Sequence, residues 1–221
     1  MCAPEPFALF EEFAAGSHMR NWMRSERRDD FRARMRSLSL GGVQLSLMDV
    51  PHLEVVRTPK LIRPSDGEAH QVLGMIHGTG GLSQAGRDAA FRAGEIIVAD
   101  SSRPFSGCLA PASGTWSSIV VQMPRSLVPL PENGVRRMTA VPISASCGLG
   151  GVFHRWLAEL VTRAGEFTPA DVPALSRTTV DLLASLLGRC TPRRRWARRP
   201  ADVPCRHAST TTSGSGCGIR V

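Results

Sequence analysis

Between residues 40 and 123 the chain keeps repeating short apolar stretches that turn residues interrupt about every 8–12 positions. Val43, Leu45 and Leu47 alternate with Gln44, Ser46 and Met48, the two-residue period of a half-buried strand. Further strands are expected at Val55–Val56, Gln71–Ile76, Ala89–Phe91, Ile96–Ala99 and Trp116–Met123. The breaks are Pro51, Pro64-Ser65-Asp66-Gly67, Gly78-Thr79-Gly80-Gly81, Ala85-Gly86-Arg87-Asp88, Ala93-Gly94-Glu95 and Pro111–Gly114. No helix-length pattern separates these strands, so a parallel βαβ sheet is excluded. An antiparallel sandwich or barrel remains.

Helical periodicity flanks this region. Phe7, Phe10, Phe13 and Ala14 suggest a short amphipathic helix ending before Gly16. Gly16-Ser17-His18-Met19 looks like a cloning scar and is read as coincidence. Residues 24–36, dense in charge, read as a solvated connector, and 124–147, rich in Pro, as an irregular one. Val152, Phe153, Trp156, Leu157, Leu160 and Val161 then keep helical spacing, with Gly165 as the stop. A second helix is expected from Thr168 as N-cap and Pro169 as its first residue, blurred by Pro173. Its stripe is Leu175, Thr179, Leu182, Leu183, Leu186 and Leu187, ending at Gly188. The short link predicts an antiparallel two-helix hairpin. The fold class is therefore α+β. Its expected parts are 1–39, an N-terminal helix and connector; 40–130, a barrel; 131–188, a connector and helix hairpin; and 189–221, a basic tail.

The net charge of +8 is concentrated in that tail. Residues 189–221 carry eight arginines against Asp202, a net of +7, which leaves the first 188 residues nearly neutral at +1. The run Thr191-Pro192-Arg193-Arg194-Arg195-Trp196 and the Ser/Thr/Gly stretch 209–216 lack apolar periodicity, so the tail is expected to be disordered. Nucleic-acid contact could rest only on Arg193–Arg199 with Trp196, and would be sequence-blind and salt-sensitive. Apolar runs such as Ile96–Ala99 are far shorter than the about 20 residues a bilayer span needs. No basic stretch leads into an apolar block at the N-terminus, so a cytoplasmic protein without membrane contact is expected. The six cysteines form no C-x-x-C pair, and neither a disulfide framework nor a metal set is expected from them.

Candidate chemistry is sparse. His52, His70, His77 and His154 make no H-x-H or H-E-x-x-H pattern, so no metal site is expected. Ser101, Ser102 and Ser106 lie near Asp100 without a nucleophile elbow. Gly78–Gly81 lacks the Lys-Ser/Thr of a phosphate loop and reads as a hairpin turn. No catalytic residue and no cofactor are expected. In Ala93–Phe105 a buried strand exits into a polar corner, where an Asp100–Arg103 ion pair would lock the loop.

Several of these segments together resemble one family. Phe31-Arg32-Ala33-Arg34-Met35-Arg36-Ser37-Leu38-Ser39-Leu40-Gly41-Gly42-Val43 is similar to the entry of the sensor half of AraC/XylS-type transcription regulators. Arg57-Thr58-Pro59-Lys60-Leu61-Ile62, Gln84–Glu95, Asp100-Ser101-Ser102-Arg103-Pro104-Phe105 and Met123–Leu130 resemble its later motifs in the family's order. The resemblance covers about residues 7–188. It implies a cupin-like β-barrel, a double-stranded β-helix, followed by two helices that pair subunits. It also implies a small-molecule effector inside the barrel. Arg63, His70, His77 and Trp116 are the lining candidates, being polar or aromatic on the expected barrel strands. Phe153, Trp156, Leu160, Leu175, Leu182 and Leu186 are the candidates for a homodimer contact.

The family's two-motif helix-turn-helix module needs about 100 residues, whereas 33 follow Gly188, so it is expected to be absent and sequence-specific DNA binding with it. Codons TCN-ACN-ACN-ACN-TCN for Ser209–Ser213, read two bases later, encode an apolar residue, three residues of the His/Asp/Asn/Tyr set and another apolar residue. On that ground the tail is read as an out-of-frame remnant of the module. The alternative reading is a small cupin-fold enzyme, an isomerase or oxygenase, which the missing metal-binding His pair disfavours.

Overall fold

The computed structural model describes residues 5–65, 67–111 and 114–189. In chain order the elements are α1 (Pro6–Ser17), β1 (Trp22–Arg24), β2 (Arg34–Leu40), β3 (Val43–Val50), β4 (Leu53–Arg57), α2 (Pro59–Ser65) and β5 (Ala69–His77). They continue through β6 (Thr79–Gln84), β7 (Arg87–Arg92), β8 (Glu95–Asp100), β9 (Phe105–Ala110) and β10 (Trp116–Pro124). Then follow α3 (Glu132–Met138), β11 (Ile143–Ser144), α4 (Gly148–Thr162) and α5 (Val172–Arg189). The strands form two antiparallel sheets, ordered β1-β4-β9-β6-β7 and β11-β8-β5-β10-β3-β2. This is a cupin-like β fold with α3, α4 and α5 laid on one face of the second sheet.

The two-residue period divides each strand between two cores. On β10, Trp116 and Val120 point between the sheets, where they meet Met48, Val50, Met75 and Ile97 from their own sheet and Phe91, Phe105 and Leu109 from the other. Ile119, Val121 and Met123 point the opposite way, onto Phe153, Leu157, Leu160, Leu183 and Leu186 of α4 and α5. Sheet two is buried on both faces. That explains why β8 and β10 read as nearly continuous apolar runs. α1 adds Phe7 and Phe10 to the inter-sheet core, both packed on Phe31 at ring separations of 4.9 and 5.1 Å.

Several elements depart from the sequence expectation. The segment 24–36 is not merely solvated, because Phe31 is buried and β2 already begins at Arg34. Gly78 does turn the chain, at φ +98°, but Thr79–Gln84 forms β6 where a hairpin turn was expected. Gly80 pairs with Phe91, and the Phe91 ring fills the space a Cβ would need, 2.5 Å from that position. The connector 124–147 contains α3 and β11, and β9 was not anticipated. The hairpin's second helix opens at Val172, one turn after Thr168, since Pro173 has no N–H to bond back to Pro169, and the Asp171 carboxylate accepts from the backbone N–H and hydroxyl of Thr168 at 2.8 and 2.7 Å. These two bonds hold the Asp171 carboxyl below its ordinary value. Cys108 is disulfide-bonded, contrary to the expectation of no disulfide framework. The basic tail beyond Arg189, with its disorder and out-of-frame readings, lies outside the described residues.

Candidate functional site

One end of the barrel is closed by a buried polar corner. Asp100 ends β8 and Ser101 follows it. The Gln84 side chain lies along this backbone, donating to the Asp100 carbonyl and accepting from the Asp100 N–H, both at 2.8 Å. Ser101 Oγ accepts from the Ala69 N–H at 2.8 Å. The Asp100 carboxylate, 3% exposed, is shared by Arg125, which donates to Oδ1, and Arg103, whose Nε lies 3.3 Å from Oδ2. The expected Asp100–Arg103 pair is present, and Arg125 is the partner that sequence reading missed. Arg57, buried at the end of β4, donates from Nε to the Ser101 carbonyl and from Nη1 to the Arg20 carbonyl, each at 2.6 Å. Segments 57–62, 84–95, 100–105 and 123–130, widely separated in the chain, thus each contribute a residue to this corner.

The second arrangement is inside the barrel. Alternation places Trp116, Ser118, Val120 and Gln122 of β10 along one interior line, with steps of about 6.6 Å between alternate residues. Trp116 and Ser118 are almost completely buried, yet Trp116 Nε1 and Ser118 Oγ have no hydrogen-bond partner among the described residues. Gln122 Nε2 donates to the His18 carbonyl at 2.7 Å, and its Oε1 has no partner. Residues 18–21 pass over this end of the barrel, held there by Gln122 and, through Arg20, by Arg57. His18 brings two shielded, unpartnered ring nitrogens, and Asn21 an unpartnered Oδ1. Burial pushes the His18 imidazole down to about 4, so it is neutral at physiological pH. The walls beside this line are Met48, Val50, Leu73 and Met75, its neighbours on β3 and β5. This interior face is thus apolar and carries a few uncharged polar atoms.

The four sequence candidates separate. Trp116 lies on the interior line. His70 shares its face of β5 with Val72 and Gly74, toward the helices, and sits opposite Asp100. Burial lowers its pKa, as does Arg125, while Asp100 and Glu132 oppose the shift. Arg63 is exposed on α2, and His77 is exposed at the end of β5. Of the six helix residues, Phe153, Leu160 and Leu186 are buried within the chain, whereas Trp156, Leu175 and Leu182 are only partly covered. Among the described residues no group of three His, Cys, Asp or Glu could hold a metal ion. No described helix is long and apolar enough to cross a membrane.

A cupin-like barrel with a polar-lined apolar interior and an attached helix pair is the architecture of a ligand-binding module. The model of the AraC-binding-like domain matches residues 10–188, and the chain belongs to that family. An uncharacterized protein in the nit 5′ region of Bacillus sp. (strain OxB-1) is 28% identical over 161 residues, 71% of this chain and 60% of the relative. The chain therefore spans less than two thirds of that relative's length. The crystal structure of the AraC-like transcriptional activator CuxR superposes with a TM-score of 0.73 at 18% identity, over 87% of this chain and 69% of that one. A Cupin 2 conserved barrel domain protein from Salinispora arenicola CNS-205 matches 47% of this chain and 88% of its own, at 14% identity and a TM-score of 0.33.

Proposed function

We propose that this chain is the effector-sensing and dimerisation portion of an AraC-type transcription regulator, acting in the cytoplasm and binding rather than transforming its ligand. The observation that carries this reading is the interior row on β10, where buried polar atoms of Trp116, Ser118 and Gln122 lack partners among the described residues. Leaving a polar atom buried and unmet costs about 1–3 kcal/mol, so a ligand that satisfies several gains affinity from each. The effector is a small, mostly apolar molecule bearing neutral donors and acceptors, because His18 is uncharged there. A second copy pairs through the partly covered Trp156, Leu175 and Leu182, while Phe153, Leu160 and Leu186 hold the same helices on the sheet.

A thermal-shift screen of the full chain against neutral metabolites tests the reading, with sedimentation reporting pairing. A saturable rise in melting temperature is expected, lost in Ser118→Val and reduced in Trp116→Phe. Hits that stabilise both variants as strongly as the parent place the ligand elsewhere and refute the assignment.

A further inference from the structure

Outside the barrel, a groove of about 280 Å³ opens where the β6–β7 turn, the corner after β8 and α3 meet. Four arginines line it, Arg87, Arg103, Arg136 and Arg137, together with Asn133 and Thr139. Two of the four are fixed in place. Arg87 Nη1 donates to the carbonyls of Arg136 and Thr139 at 2.8 and 2.9 Å, which anchors it across the end of α3. Arg103 is held by Asp100, but that carboxylate is already engaged by Arg125 and neutralises only one of its two partners.

The remaining two are uncommitted. Arg136 and Arg137 are exposed and form no ion pair among the described residues. The nearby acids do not balance the set. Asp88 accepts from Ser83 at 2.5 Å, and Glu132 begins α3 without closing a salt bridge to Arg136. A concave surface with this uncompensated charge concentrates anions, and guanidinium forks match the paired oxygens of phosphate and carboxylate.

We propose that this groove binds a small, multiply charged anion, a phosphate- or carboxylate-bearing metabolite, at a site separate from the barrel interior. Its volume falls just below the about 300–1,000 Å³ usual for small-molecule sites and suits a compact anion or the charged end of a longer one. The site also has a mechanical consequence. Arg103 belongs to the barrel corner, whereas α3 sends Val135 and Met138 into the core it shares with Leu183 and Leu186 of α5. An anion held by Arg103, Arg136 and Arg137 therefore clamps the barrel to the helix pair.

The test is calorimetric titration of the full chain with pyrophosphate and, in parallel, citrate at fixed ionic strength. Saturable one-to-one binding is expected, weakened at least tenfold by Arg136→Gln with Arg137→Gln, the loss expected for two charge-assisted contacts. Arg34→Gln with Arg36→Gln, an exposed pair on β2, leaves it unchanged. The tail's arginines are common to every variant. The tighter of the two probes identifies the anionic group. Arginine modification of the unaltered protein by phenylglyoxal gives a second reading, slowed by the anion at Arg136 and Arg137 and not at Arg34 and Arg36. Absence of saturable binding, equal weakening in both double variants, or a loss of under twofold in the groove variant overturns the proposal.

Discussion

Arg57 donates from Nε to the Ser101 carbonyl at 2.6 Å across 44 positions of sequence, while its Nη1 holds the Arg20 carbonyl at the same distance. One buried guanidinium therefore ties together β4, the corner after β8 and the segment that closes the barrel. Hydrogen bonds to a charged group contribute about 1.5–3 kcal/mol each, so Arg57→Met is expected to lower stability by about 3–5 kcal/mol. Arg57→Lys keeps the charge but lacks the fork and should recover less than half of that loss. Urea unfolding with a common m-value checks this, and a loss below about 1 kcal/mol for Arg57→Met would show the clamp to be inert.

Asp100 provides a sharper contrast between buried and exposed ion pairs. Removing its carboxylate strands two guanidiniums beside a buried backbone corner, and Asp100→Ala should cost about 3 kcal/mol or more. Glu159, which meets Arg163 at 2.9 Å on α4, forms a single, largely exposed pair. Glu159→Ala should cost less than about 0.5 kcal/mol. Thermal unfolding of the two variants side by side decides whether burial, and not distance, sets the difference.

How legible the site was depended on how far apart its partners lie. The corner could be anticipated because Asp100 and Arg103 are three residues apart, whereas Arg125 joins only after β9 and β10 bring the chain back beside β5, the neighbour of β8. Trp116 was visible as an aromatic opening an apolar strand. Counting by twos from it reaches Ser118 and Gln122, so that signal was available and unused. His70 and His77 are seven apart, and an odd separation puts two residues on opposite faces of a regular strand. They could not both have faced the interior of an unbroken strand. His18 and Asn21 carried no local signal, because their shielding depends on a short segment passing over the end of the sheet, where Gln122, 104 positions beyond His18, holds it. β6 was hidden by glycines that serve packing, since Gly80 leaves room for the Phe91 ring directly opposite.

The shielded histidines make stability fall in mild acid. The unfolded chain binds a proton at His18 near its ordinary value of 6.5, and the folded protein refuses it until about pH 4. A group whose pKa is lowered on folding contributes fully above 6.5 and loses that contribution as pH falls toward 4. The slope approaches about 1.4 kcal/mol per pH unit below 6.5, so His18 alone removes about 2 kcal/mol between pH 7 and 5. Burial lowers His70 and His154 as well, which adds in the same direction. His18→Gln should flatten the profile by about this amount when urea midpoints are compared at pH 7 and 5. An unchanged slope would mean that the ring is hydrated.

β5 is one of the places where the helix pair comes close to the sheet. Gly74 sits on the helix-facing side of β5, and a Cβ there would lie 2.9 Å from His154 Cδ2 and 3.4 Å from Nε2. The imidazole of α4 thus occupies the space that a side chain on β5 would fill, so the missing Cβ determines how near the helix can settle. Gly74→Ala should cost about 1–3 kcal/mol by overpacking, because α4 is pinned on the same face by Phe153 and Leu157 and cannot simply lift away. His154→Ala alone leaves a gap beside Gly74, and the two changes together should fit better than either separately. A double-mutant cycle is therefore expected to give a favourable coupling of about 1 kcal/mol or more. Additive losses would mean that the methyl group is accommodated by a shift of β5 and that His154 does not set the helix height.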